Sequence, residues 1–414
     1  MKVVPIVVAV VLAGLLAGAV ARPTSAQPEP VLRDIGPLLG LRQHESSYAI
    51  AVADVNADGF EDFLIVHHGS RPSELFVTDH DGDVPTGVHV ATRLVDTVHE
   101  RPDRHGCVIG DVNLDELADI FCTKGAQQGL AKKWNELWMQ GPEGAWADEA
   151  AAYGVEDVWG RGRYPAWIDL NGDAYPDLFV GNDIPRRDEH TTENQTYLND
   201  AGERFREVDL GISLEQGANC VQVLDADGDG HDDLLLCGRY ETFLYLRRGD
   251  RFVRGNDLLG VPTEQALGAE LVDLNADERL DLVLVSPALL QIRLAGSDGR
   301  LTAIAHTQPL GRGHGLAVGD VDGDGAPDVY AVDGCLDRVD GDDVLLLNDG
   351  TGRGWSRAEV PRPGDGCGDV AEAFDWDRDG ADEILVLNGG GTSQPLDIDG
   401  PDQLLTLGDW QLPA

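Results

Sequence analysis

The nine residues from Asp320 to Asp328 read DVDGDGAPD. Oxygen-bearing side chains stand at positions 1, 3, 5 and 9, and a glycine stands at position 6. The pattern D-x-[DN]-x-D-x-x-x-[DE] recurs seven times, with copies starting at Asp54, Asp111, Asp169, Asp225, Asp273, Asp320 and Asp375. The intervals are 57, 58, 56, 48, 47 and 55 residues. A self-similar unit of roughly fifty residues belongs to a solenoid, a propeller or an array.

The flanks select among these. Tyr48–Ala53 precedes the first copy, Phe63–Val66 follows it, and Leu234–Leu236 follows the fourth. Such segments are strand-length, β-rich and without helical period. A third segment follows, as in Thr196–Asn199 and Val344–Asn348, then a turn (Asp349-Gly350) and a weaker fourth segment. Four antiparallel strands per repeat make a propeller blade. After the last copy come Ile384–Leu387 and Gln403–Leu407, one strand short of a blade. Val31–Gly36 precedes the first copy and reads like the fourth strand Phe205–Gly211. The expected fold is an all-β, seven-bladed β-propeller of four-stranded antiparallel blades. Its ring would be closed by the N-terminal strand completing the last blade, which removes an open sheet edge.

The loops carry candidate metal ligands. At positions 1, 3, 5 and 9 the first copy has Asp54, Asn56, Asp58 and Asp62, and the second Asp111, Asn113, Asp115 and Asp119. The third has Asp169, Asn171, Asp173 and Asp177, and the fourth Asp225, Asp227, Asp229 and Asp233. The fifth has Asp273, Asn275, Asp277 and Asp281, and the sixth Asp320, Asp322, Asp324 and Asp328. The seventh has Asp375, Asp377, Asp379 and Glu383. Alternating oxygens in a tight turn suit Ca²⁺, which takes six to eight oxygen ligands, better than the strictly octahedral Mg²⁺. An EF-hand is excluded, because position 12 of the first copy is Ile65 and the flanks are strands. The competing reading is a set of Asp-Gly hairpin turns without metal. These positions hold 24 carboxylates, and up to seven Ca²⁺ would cancel fourteen charges of a formal net −43. Position 6 should be left-handed, favouring Gly59, Gly230, Gly325 and Gly380 over Glu116, Ala174 and Glu278.

The remaining composition bounds the partners. With 31 Lys+Arg against 74 Asp+Glu, nucleic acid and anionic lipid are excluded, since both need a basic face. Lys2, the apolar run Val3–Ala21 and the small-residue sites Ala19-Val20-Ala21 and Thr24-Ser25-Ala26 form a signal-peptide layout. The expected division is 1–26 signal peptide and 27–414 propeller. The mature protein would be a monomer without membrane insertion, secreted, periplasmic or on the cell surface. Export suits disulfides. Cys107 and Cys122 flank the second loop, and Cys220 and Cys237 the fourth, each pair opposite across a hairpin. Cys335 and Cys367 would lie on the far rim and could join neighbouring blades.

The chain resembles the FG-GAP/VCBS repeat family, which includes the seven-bladed propeller of integrin alpha subunits. Residues 313–325, GHGLAVGDVDGDG, carry the nearest match, and the likeness spans nearly all of residues 30–410. The resemblance implies calcium loops between the first two strands of each blade. It leaves the ligand open.

A ligand would sit on the rim opposite those loops. The three lysines beyond the leader, Lys124, Lys132 and Lys133, fall in one loop of blade two. Near them lie Arg101, Arg104, Arg161, Arg163, Arg186 and Arg187, interleaved with Trp134, Trp159 and Tyr164. Such an island suits an anionic glycan or an acidic protein segment. The competing reading is local ion pairing. Tyr48, His105, Arg163, Asn219, Leu267, His314 and Asp369, each six residues before a first Asp, should ring the mouth of the channel. The tripeptide Arg248-Gly249-Asp250 falls at a strand turn and carries no adhesion reading. Nucleophile-elbow, HExxH and CxxC motifs are absent, so no catalytic residue is assigned. The expectation is a binding or adhesion module for a glycan or protein ligand. Alternatives are a polysaccharide lyase or hydrolase with its site at that mouth, and a structural cell-surface protein.

Overall fold

In the computed structural model the described residues are 31–41, 47–68, 71–95, 103–125, 132–183, 193–212, 217–333, 343–361, 370–388 and 402–407. They form seven separate four-stranded antiparallel sheets. Blade one is Ser47–Ala53, Asp62–His67, Ser73–Asp81 and Val84–Leu94; blade four is Cys220–Leu224, Asp233–Cys237, Thr242–Arg248 and Arg251–Arg254. Blades two, three, five and six begin at Arg104, Gly162, Gly268 and Gly313 and repeat the same order.

The seventh sheet closes the ring. Its strands Val370–Phe374, Glu383–Leu387 and Gln403–Thr406 take Arg33–Asp34 as their outer partner, with Arg33 opposite Thr406 and Asp34 opposite Leu405. The strand anticipated over 31–36 is therefore shorter than its segment. Past Asp34 the chain turns into a one-turn helix, Gly36–Leu39, ended by left-handed Gly40. Two more such helices, Ala150–Tyr153 and Asn256–Leu259, end the same way at Gly154 and Gly260. At four residues each they are too short to show a helical period.

The core lies between blades. The second strand of every blade is almost wholly buried, as in Asp62–His67 and Asp328–Asp333. Sheets stacked face to face cover both sides of a central strand, so its sequence is continuously apolar rather than alternating. Seven apolar clusters of described residues each span one junction. The closing junction joins Phe63, Ile65 and Phe76 to Phe374, Trp376, Leu385 and Leu404. Trp376, fully buried, donates its indole N–H to Thr78 Oγ1 at 3.0 Å across this seam.

Cys107–Cys122 and Cys220–Cys237 are disulfides between directly opposed residues of the first two strands of blades two and four. Cys335, Cys367 and the leader 1–26 lie outside the described residues. Among the described residues no helix is long and apolar enough to cross a membrane.

Candidate functional site

Each nine-residue loop joins the first and second strands of its blade, so all seven loops share one rim. All seven have the expected left-handed residue at position 6: Gly59, Glu116, Ala174, Gly230, Glu278, Gly325 and Gly380. A second left-handed residue stands at position 4 in every copy: Ala57, Leu114, Gly172, Gly228, Ala276, Gly323 and Arg378. The sequence offered only a faint signal for it, since three of those seven are glycine.

The same hydrogen bonds hold each loop. The position-5 carboxylate accepts the N–H of position 7, as Asp58 does from Phe60 at 2.9 Å and Asp324 from Ala326 at 2.9 Å. In every loop but the third, the position-1 carboxylate accepts the N–H of position 6, as Asp320 does from Gly325 at 2.8 Å. Asp169 of the third loop accepts from Asn171 and Gly172 instead.

Position 9 reaches furthest into the protein. Its seven carboxyls are buried, and each accepts the N–H of position 2. In blades one to six the other oxygen accepts an N–H from the third strand or the residue just past it, including Thr78, Asn199, Arg247 and Asn348. Three of those residues also donate to the preceding blade. Asn199 donates to Val112 O, Arg247 to Leu170 O and Asn348 to Leu274 O. The position-9 acid thus ties its own loop to its third strand, and in blades three, four and six that strand's residue in turn holds the neighbouring loop.

Burial pushes these acids up, with loop carboxylates adding to the effect. Asp62, Asp119, Asp177, Asp233 and Asp281 rise to about 6, Asp328 to about 7 and Glu383 to about 9. Three loops bring donor oxygens within 4.8 Å of one another: Asp225, Asp227 and Asp229; Asp320, Asp322 and Asp328; Asp375, Asp377 and Glu383. An all-oxygen, multiply charged set of that size fits a hard divalent cation. Basic neighbours offset some of this charge. Arg248 pairs with Asp227 and Asp229 and Arg279 with Asp277, while His80 Nε2 hydrogen-bonds with Asp58 at 3.2 Å. Arg248-Gly249-Asp250 sits at the turn after Thr242–Arg248, with its arginine turned into the fourth loop.

The opposite rim differs from a free basic island. Lys124 is buried and pairs with Glu136 at 2.7 Å, and buried Arg104 grips the same carboxylate. Burial alone would raise Glu136, but Arg104 and Lys124 hold it below its ordinary range. Lys133 and Arg161 are also buried, and Arg161 pairs with Asp183 at 2.8 Å. Arg163 donates to the Gly162 carbonyl and to Asp183. Lys132 alone of the three lysines is exposed, 5.4 Å over the half-buried Trp159 ring. Trp134 and Tyr164 are half-buried, while Arg101, Arg186, Arg187 and Asp369 lie outside the described residues. His105 is buried, and that burial, followed by the charge of Arg163, pushes it down to about 3. It packs against Tyr48 and against His68, a residue the spacing argument had not singled out.

The profile of the FG-GAP-like repeat matches residues 169–236, 225–284 and 273–331. Residues 169–331 of the propeller thus carry FG-GAP-like repeats. Solved structures resemble the chain at low identity. An Agrocybe aegerita lectin that recognises non-reducing terminal N-acetylglucosamine is 15% identical, with a TM-score of 0.50 over 75% of this chain and 80% of the lectin. The rhamnogalacturonan lyase PL11 of Bacillus licheniformis is 13% identical, with a TM-score of 0.44 over 87% of this chain and 71% of its own. The V. cholerae biofilm matrix protein Bap1 is 13% identical, with a TM-score of 0.39 over 80% of this chain and 42% of Bap1. No curated protein matches the chain in sequence.

Proposed function

We propose that this protein is an exported, calcium-stabilised propeller that binds a glycan on the rim opposite its acidic loops. The observation that carries the reading is the division of the two rims. One rim is given over to seven loops of one backbone shape, whose carboxylates are knitted into the ring. The other holds half-buried aromatic rings, with Lys132 over Trp159 and with Trp134 and Tyr164 nearby in the chain. Aromatic faces stack on sugar rings and keep little side-chain entropy to lose on binding. Lys124, Lys133 and Arg161 are buried, and Lys132 is the exposed lysine among the described residues of this rim. Ca²⁺ ions on the loops would tie neighbouring blades together through the position-9 acids. Two disulfides fit an oxidising compartment.

A glycan array and a polysaccharide turnover screen test the reading with the calcium-loaded protein. Retention without turnover, weakened by Trp159→Ala, is expected. Turnover would replace the binding reading with the enzymatic one, and retention of a protein but no glycan would replace the ligand class.

A further inference from the structure

We propose that His68, Asp103 and His105 form a site for a borderline divalent ion such as Zn²⁺, at the junction of blades one and two on the rim away from the acidic loops. The three residues come from two segments, one in each blade. His68 follows the second strand of blade one, Asp103 precedes blade two, and His105 lies in that blade's first strand. Nε2 of His68 lies 2.9 Å from Asp103 Oδ1, and Nε2 of His105 lies 3.5 Å from the same atom. One donor atom from each residue falls within 4.8 Å of the other two. Zinc holds imidazole nitrogen and carboxylate oxygen at about 2.0–2.2 Å, so tetrahedral ligands stand about 3.3 Å apart. The observed separations bracket that value. A separation of 3.5 Å is long for a hydrogen bond but ordinary between two ligands of one ion.

The donor chemistry separates this site from the loops. Two imidazoles and one carboxylate suit zinc and its neighbours, whereas calcium takes oxygen alone. The surroundings are also built. The Tyr48 ring stands edge-on to His105 at 4.8 Å and lies 5.5 Å from His68. Asp103 is held left-handed at φ 61°, an uncommon conformation for a residue with a side chain. Gly125 donates its N–H to the Asp103 carbonyl at 2.9 Å. A Cβ on Gly125 would lie 2.3 Å from His105 Nε2 and 3.0 Å from Asp103 Oδ2. The two donor side chains thus pack against residue 125 where only glycine fits. Three protein donors leave a fourth position for water or a ligand oxygen, and His68, 29% exposed, lies at the solvent side. Arg163, on the neighbouring blade, is engaged by Asp183 and by backbone carbonyls.

The test uses the full chain without a histidine tag, saturated with Ca²⁺ so that the acidic loops do not compete. Titration with Zn²⁺, and with Co²⁺ read by its visible absorption, should show one equivalent bound with tetrahedral Co²⁺ bands. His68→Ala, a change at a partly exposed side chain, should lower that affinity about 100-fold or more and leave calcium-dependent melting unchanged. If His68→Ala does not fold, His68→Gln supplies the same comparison. Absence of uptake in the wild type, or equal uptake in the variant, would overturn the assignment and leave a hydrogen-bonded cluster.

Discussion

Replacing Asp328 by asparagine separates a metal ligand from a purely structural acid. Asp328 is fully buried and accepts the N–H of Val321 at 2.9 Å and of Asn348 at 2.8 Å. Burial, with Asp322 adding to it, pushes its carboxyl from 3.8 up to about 7. At 1.36 kcal/mol per tenfold, that rise corresponds to about 4 kcal/mol. The folded chain holds this proton more tightly than the unfolded chain, so the penalty is absent below about pH 4 and grows until the pH passes about 7. Asparagine removes the charge but can accept only one of the two N–H groups, at a cost of about 1–3 kcal/mol. At pH 8 in chelator, Asp328→Asn should therefore be more stable than the wild type by about 1–3 kcal/mol. At pH 4 the penalty has gone and the variant should be the weaker one. In Ca²⁺ at a hundred times its dissociation constant the wild type gains about 2.7 kcal/mol per site, and the variant loses most of that. The variant's lead should then close or reverse. Urea midpoints at pH 4 and pH 8, with calcium and with chelator, measure all four states. A destabilisation of equal size in all four would refute the reasoning and leave Asp328 as a hydrogen-bond acceptor alone.

Glu116→Gly should stabilise by about 1 kcal/mol, because Glu116 occupies a left-handed position at φ 68°; a loss in thermal melting would mean that its side chain is used. Glu136→Gln should destabilise by about 3–5 kcal/mol by stranding buried Arg104 and Lys124 without their counter-charge. An unchanged urea midpoint would show that the pair is compensated from elsewhere.

The sequence by itself determined the number of blades, the rim that carries the loops and the way the ring closes. A nine-residue register repeated seven times fixes local chain geometry. The apolar runs on either side can bury themselves only by stacking between copies. It also determined that residue 6 of each loop is left-handed, even where Glu116, Ala174 and Glu278 replace glycine. The cysteine pairs of blades two and four were legible for the same reason, since hairpin register follows from counting outward from the loop. Only the tertiary structure decided what the charges do. Lys124 and Arg161 read as an open basic face because nothing in the chain locally says that Glu136 and Asp183 will meet them. The second left-handed residue of each loop, carried by Leu114 and Arg378 as readily as by glycine, is imposed by the hydrogen bonds that shape the turn. His68, Asp103 and His105 come together because two blades are packed side by side, and charge, burial and coordination depend on distances between segments that a linear pattern does not contain.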